Sequence, residues 1–204
     1  MCYFPNGVPL RSINRSDPRM KPALTVTVFG SSRPRETDAE YRLAYEVGWE
    51  LARAGFIVCN GGFGGTMEAS ARGAKKAGGS TVGVTCPAFG SRGANNWIDR
   101  ELPEPSLLDR LNKLIALGDA YVILKGGTGT LLELAAVWEF MNKGILAEKP
   151  IVTVGTFWNG VVSTLKDELS WEGLADCTRF VLTAGSATEC AESILDRLEP
   201  RRAR

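Results

Sequence analysis

The chain predicts an α/β fold built on a doubly wound parallel sheet, and three observations carry that expectation. Short apolar runs alternate with runs of helical period along most of its length, which implies right-handed crossovers and a sheet covered on both faces. Three of the strand-like runs end in turns of small residues, at 30–32, 60–66 and 126–130, and ligands of such sheets bind beyond the carboxyl ends of the strands. At 204 residues, 44% hydrophobic and 23% charged, the chain suffices for a single domain with a substantial core.

Residues 1–22 hold four prolines without periodicity and are expected to be a poorly ordered tail. The domain is expected over 23–199. Leu24-Thr25-Val26-Thr27-Val28-Phe29 reads as the first strand and opens onto Gly30-Ser31-Ser32. Thr37-Asp38-Ala39-Glu40 has capping-box spacing and begins a helix that Gly55 stops. Phe56 to Cys59 is the second strand, followed by Asn60-Gly61-Gly62-Phe63-Gly64-Gly65-Thr66 and a helix of small residues from Met67 to Ala77. Thr81 to Thr85 is the third strand. From Cys86 to Pro105 the sequence reads as one long loop, expected to border the ligand because long connections in compact domains are usually functional.

Ser106-Leu107-Leu108-Asp109 is a second capping box, starting a helix to about Leu117. Ala120-Tyr121-Val122-Ile123-Leu124 is too short for a globular helix and apolar throughout, as a buried parallel strand must be. The motif Lys125-Gly126-Gly127-Thr128-Gly129-Thr130-Leu131-Leu132-Glu133 follows, then a helix from Leu131 to Met141. Further strands are expected at 150–154 and 179–182, helices at 158–169 and 186–198, and a solvated basic tail at 200–204. The whole reads as a Rossmann-like sheet of about six to seven strands.

Composition removes several function classes. The net charge of +1 provides no field to recruit nucleic acid or an anionic membrane. No apolar run reaches the roughly 20 residues of a membrane helix, so a cytoplasmic protein is the default expectation. Without a single histidine, Ser-His-Asp and Cys-His catalysis are excluded, and five scattered cysteines with no Cys-x-x-Cys pair make no zinc site. Acid–base chemistry falls to carboxylates, lysine, tyrosine or water.

Anion binding is what the 125–133 stretch offers. Its glycines leave backbone amides uncovered, and the helix behind them turns its positive dipole end to the same place. The spacing is neither the Gly-x-Gly-x-x-Gly of a dinucleotide site nor the Gly-Lys-Ser/Thr of a P-loop. A mononucleotide or sugar phosphate fits better.

Gly126-Gly127-Thr128-Gly129-Thr130-Leu131-Leu132-Glu133 resembles the PGGxGTxxE signature of the LOG (LONELY GUY) proteins, cytokinin-activating nucleoside 5′-monophosphate phosphoribohydrolases also labelled lysine decarboxylase-like. Phe29-Gly30-Ser31-Ser32 and Gly61-Gly62-Phe63-Gly64-Gly65-Thr66-Met67 are similar to that family's other two turns, and Arg110 matches the arginine of its Arg-Lys pair. The resemblance implies hydrolysis of an N-glycosidic bond, with Arg110 and Glu133 as catalytic residues and the 5′-phosphate on the amides of Gly127 to Thr130 and the hydroxyls of Thr128 and Thr130. It places Gly30, Ser31, Gly61, Gly62, Met67 and Gly126 along the nucleotide as well, implies a homodimer with its sites near the subunit interface, and implies no cofactor and no metal. Trp138, Phe140 and Met141 are candidates for that interface or for burial on the sheet. Leu111 stands where the family has the pair's lysine, Lys125 where it has proline and Asn60 where it has glycine; the first removes a cation from the expected site.

Plainer readings compete at each position. Thr130 and Glu133 are themselves spaced as a capping box, so Glu133 could simply satisfy the helix start. Arg110 could be a solvated helix charge, and Gly61 to Gly65 could serve only close packing. Lys125, at a strand end, is expected to be exposed. A nucleotide-binding protein without turnover is the alternative to the hydrolase.

Overall fold

The computed structural model describes residues 23–89 and 93–202. The tail expected over 1–22 lies outside them, as do Ser91 and Arg92 of the long loop and Ala203 and Arg204 at the end. The strands are β1 (Thr25–Phe29), β2 (Ile57–Asn60), β3 (Thr81–Thr85), β4 (Arg100–Pro103), β5 (Ala120–Ile123), β6 (Ile151–Val154) and β7 (Val181–Ala184). The helices are α1 (Ala39–Arg53), α2 (Thr66–Lys76), α3 (Leu107–Leu117), α4 (Thr128–Asn142), α5 (Asn159–Trp171) and α6 (Ala187–Arg202). All strands are parallel in one sheet, ordered β4-β3-β2-β1-β5-β6-β7.

Alternating side chains on each strand feed two cores, as the pleat requires. On one face Val26, Val28, Val58, Ala120, Val122 and Val152 pack with α1, α2 and α6; on the other Phe29, Cys59, Tyr121, Ile123 and Ile151 pack with α3, α4 and α5. This is the doubly wound architecture that the alternation of runs predicts. The chain moves outward from β1 to β4 and then returns to the opposite side of β1 as β5. The strand order therefore reverses between β1 and β5, and such a switch point leaves a crevice beyond the carboxyl ends of the two strands.

The expected loop at 86–105 is not one loop. A 3₁₀ turn at Pro87–Phe89 and the edge strand β4 divide it, with Val82↔Arg100 to Thr85↔Pro103 in register. Its Arg-Glu-Leu-Pro sequence is mostly exposed and has no apolar alternation, which is why the pattern hid it. Charged residues and proline are what an edge strand tolerates. The segment before it is clamped onto the domain: Asn95 donates from Nδ2 to the carbonyls of Gly62 (3.1 Å) and Phe63 (2.8 Å). None of the described residues of this segment lines the main cavity.

The expected capping box at Ser106 forms, and a second forms at Ser186, the start of the helix expected at 186–198. Ser106 Oγ accepts from the Asp109 amide (3.1 Å), and Ser186 Oγ accepts from the Glu189 amide (3.2 Å) while Glu189 reaches back to the Gly185 amide (2.7 Å). The box at Thr37-Asp38-Ala39-Glu40 does not: the N-cap is Asp38 and not Thr37, the Asp38 carboxylate accepts from the Arg35 amide (2.8 Å), and the Glu40 carboxylate is taken by Lys125 Nζ at 2.6 Å.

Candidate nucleotide site

A cavity of about 500 Å³ occupies the crevice at the switch point. Its walls are Gly30 to Arg33 after β1, Phe63 and Met67 from the turn and helix after β2, Arg110 on α3, and Gly127 to Thr130 with Glu133 at the start of α4. Three glycine turns far apart in sequence thus meet at one place, as the edge argument predicts.

Their meeting is held by backbone bonds. The Ser31 amide donates to the Lys125 carbonyl (3.3 Å), and the Ser31 carbonyl accepts from the Thr66 amide (2.9 Å) and hydroxyl (3.0 Å). Gly65 enters α2 at φ 67°, a left-handed conformation that side chains rarely adopt, and a Cβ there would strike the Ser31–Ser32 backbone.

Helix α4 begins earlier than its apolar period shows. Its N-cap is Gly127, without a side-chain cap bond, and the first helical bond is Leu131 N–H to Gly127 C=O (3.0 Å). The amides of Thr128, Gly129 and Thr130 therefore fall in the first turn, where a helix has donors to offer an anion. With the helix starting at Thr128, Thr130 is not an N-cap, and the capping-box reading of Glu133 falls away.

Glu133 lines the cavity one turn further in. Burial pushes its carboxyl up to about 7, and the Arg110 charge opposes that rise only in part. Arg110 is buried, not solvated, at 6% exposure. Its Nε donates to the Val84 carbonyl (2.7 Å) and its Nη2 to the Gly61 carbonyl (3.1 Å), so two strand ends aim the guanidinium. Phe63 covers it at 5.6 Å and Met67 Sδ lies 3.9 Å from Nη2. Burial lowers the Arg110 pKa while the Glu133 carboxylate works against that lowering. A cation and a carboxylate of shifted pKa thus share one cleft, the usual mark of a functional site.

Not every expected residue lines this cavity. Gly61 lies behind it, with its carbonyl under Arg110. Gly62 takes φ 76°, donates to Asn60 Oδ1 (2.8 Å) and accepts from Asn95. Gly126 faces a smaller neighbouring cavity with Lys125. Ser32, Arg33 and Phe63 line the main cavity as well; Ser32 and Phe63 lie within the turns at 30–32 and 60–66 and Arg33 directly follows the first, where a pattern of small residues does not reveal larger side chains.

The departures from the signature also find their places. Leu111 is buried in the core with Leu114, Trp138 and Trp158, so position 111 does not deliver a side chain to this cavity; its cations are Arg110 and Arg33. That corrects the expectation that Leu111 costs the site a charge. Asn60 is fully buried and brackets the second turn, donating to the Met67 carbonyl (2.8 Å) and the Ser70 hydroxyl (3.1 Å). Lys125 is exposed, as expected. Among the described residues no group of histidine, cysteine and acidic side chains could hold a metal ion, and no helix is long and apolar enough to cross a membrane.

Comparison with known proteins agrees with this fold. The chain is 36% identical over 135 residues to the cytokinin riboside 5′-monophosphate phosphoribohydrolase of Mycobacterium tuberculosis, which covers 64% of this chain and 70% of that one. In structure it is similar to the molybdenum cofactor carrier protein of Chlamydomonas reinhardtii (TM-score 0.69, 24% identity, 87% of this chain and 99% of that one). It is likewise similar to the molybdenum cofactor binding protein of Rippkaea orientalis (TM-score 0.64, 26% identity, 88% and 99%). A family model matches residues 23–170, and by that match the chain belongs to the SLOG cluster4 family.

Proposed function

We propose that the protein hydrolyses the N-glycosidic bond of a nucleoside 5′-monophosphate, releasing free base and ribose 5-phosphate. The observation that carries this reading is the placement of Glu133, with its carboxyl at about 7, beside the buried Arg110 and one helical turn from the free amides of Thr128 to Thr130. The amides and the Thr128 and Thr130 hydroxyls take the phosphate, and Arg110 holds the ribose side. Cleavage of the bond from ribose C1′ to the base leaves an oxocarbenium-like centre, which the ionised Glu133 stabilises while it orients water. Water supplies hydroxide to C1′ and a proton to the departing base. The 36% identity to the mycobacterial phosphoribohydrolase supports this class of reaction. Incubation with AMP, followed by chromatography for free adenine, tests it; nucleotide binding without base release would overturn it.

A second reading is favoured by the likeness to the Rippkaea orientalis protein over 99% of that chain. Here the same cradle carries a phosphorylated ligand and does not break it. Binding without turnover is its signature, so the same experiment separates the two.

The working unit in either reading is a homodimer. Trp138 and Met141 are buried in the sheet-side core and are not available as its contact, whereas Leu131 (37% exposed) and Leu132 (44%) stand on the outer side of α4 beside the cradle. Those leucines are the contact expected between subunits.

A further inference from the structure

Beside the main cavity lies a second, of about 300 Å³, lined by Ser31, Arg33, Pro34, Asp38, Glu40, Lys125, Gly126 and Phe157. Ser31 and Arg33 belong to both cavities, so the two adjoin across the turn after β1. The chemistry of the second differs from that of the first. Its helix end, the start of α1, carries Asp38 as N-cap, and its lysine is already committed: Lys125 Nζ pairs with Glu40 at 2.6 Å. Burial does not shift that balance, since the Lys125 ammonium instead holds the Glu40 carboxyl below its ordinary range. Asp38 adds a further carboxylate. A free phosphate would meet no net positive charge there, since Asp38 and Glu40 balance Arg33 and Lys125.

What the second cavity does offer is an aromatic ring. Phe157 is 50% exposed, an unusual cost for a phenyl group beside the ligand edge of the sheet. It is not a loose side chain. Trp158 meets it edge-on at 5.0 Å between centroids and is itself fixed by donating from Nε1 to the Leu124 carbonyl (2.9 Å), and Lys125 Nζ lies 5.8 Å from its centroid. An exposed, propped ring is what a planar heterocycle stacks on. Between the two cavities stands Arg33, exposed, whose guanidinium pairs with no acidic side chain among the described residues. An anionic bridge passing from the cradle to Phe157 would run beneath it.

We propose that the cradle and the second cavity together accept a ligand with two ring-bearing ends joined through a diphosphate, a dinucleotide in chemical class, with one phosphate on Thr128 to Thr130, the bridge at Arg33 and the second ring on Phe157. This rests on the phosphate cradle proposed above and extends it: the group esterified to the phosphate is recognised as well as the nucleoside.

Isothermal titration of the full chain with AMP and with P1,P2-di(adenosine-5′) diphosphate tests the idea. The dinucleotide is expected to bind roughly ten-fold tighter than AMP, the gain of one stacked base. In Phe157→Ala the ratio of the two affinities should fall to about two, while Phe157→Tyr, which keeps a ring, should restore it. Arg33→Ala should also lower the ratio. Equal affinity for both ligands in the wild type, or a ratio unchanged in Phe157→Ala, overturns the second subsite and leaves the cradle standing. Dinucleotide binding without AMP binding overturns the monophosphate reading and keeps this one. Binding of neither overturns both.

Discussion

The carbonyl of Ser31 accepts two hydrogen bonds from one residue, from the Thr66 amide at 2.9 Å and from the Thr66 hydroxyl at 3.0 Å. This joins the turn after β1 to the start of α2 and leaves no room at Gly30, where a Cβ would come within 2.6 Å of Thr66 Oγ1 and 3.0 Å of Leu124 Cβ. Gly30→Ala must therefore push the two turns apart. It is expected to destabilise the fold by about 1–3 kcal/mol and to weaken AMP binding at the same time, measured by thermal unfolding and titration. An alanine variant with wild-type stability and affinity would show that the joint has slack.

Glu133 makes stability depend on pH in a defined sense. Its folded carboxyl titrates at about 7 against an ordinary 4.5, so the folded state binds the proton more tightly, and stability is lost as pH rises from about 4.5 through 7. Glu133→Gln removes the cost of burying that charge. The variant is expected to gain about 1–3 kcal/mol over wild type at pH 8 and little at pH 4, while base release falls by two orders of magnitude or more. Urea unfolding at the two pH values checks the first part. A gain that is the same at both pH values would assign it to packing instead.

Arg110 holds that carboxyl lower than burial alone would. Replacing it with the apolar Arg110→Met leaves the carbonyls of Gly61 and Val84 without their donor and removes the opposing charge. The limb of the pH–rate profile that Glu133 sets should move upward in the variant, and AMP affinity should fall by at least about ten-fold. An unmoved limb would mean that the two groups do not act on each other.

Leu111 predicts the opposite of what the signature suggests. Restoring the family lysine by Leu111→Lys places an ammonium among Leu114, Trp138 and Trp158, at a cost of several kcal/mol, about 2–5. Melting temperature should drop and base release should not rise. A variant that folds stably and turns over faster would move position 111 back into the site.

On α4, Leu132 is 44% exposed and next to Glu133. Leu132→Asp is expected to give a monomer by sedimentation at concentrations where the wild type is dimeric, since the charge would be buried in the contact. A wild type that sediments only as a monomer sinks the shared-interface picture.

The parts of this molecule that repeat a pattern were legible in its residues, and the parts that depend on a single contact were not. The parallel sheet, its two-faced cover and the meeting of three turns follow from apolar runs and glycines alone. The edge strand β4 did not show because an edge strand has no apolar face to repeat, and its pairing with β3 is backbone to backbone. The apolar period places the start of α4 three residues late, at Leu131, since Thr128, Gly129 and Thr130 have poor helix propensity and are held by the turn before them. Glu40 looked like a cap because its spacing is right, yet a lysine 85 residues away claims it. Arg110 and Leu111 are both buried, the first at the cavity and the second in the core, and that division depends on where α3 lands on the sheet and on nothing local.

One feature of the topology bears on when a ligand can be held at all. The walls of the main cavity follow β1 and β5, adjacent in the sheet although Thr25 and Asp119, which bond at their base (2.9 Å), are 94 residues apart. Their pairing closes the whole intervening chain into a loop, and contacts of such separation form slowly. The site is therefore a late product of folding, absent from any species in which that pairing is open. A bound nucleotide would stabilise the closed pair and nothing earlier, so its presence should slow the opening of this seam far more than it speeds its formation.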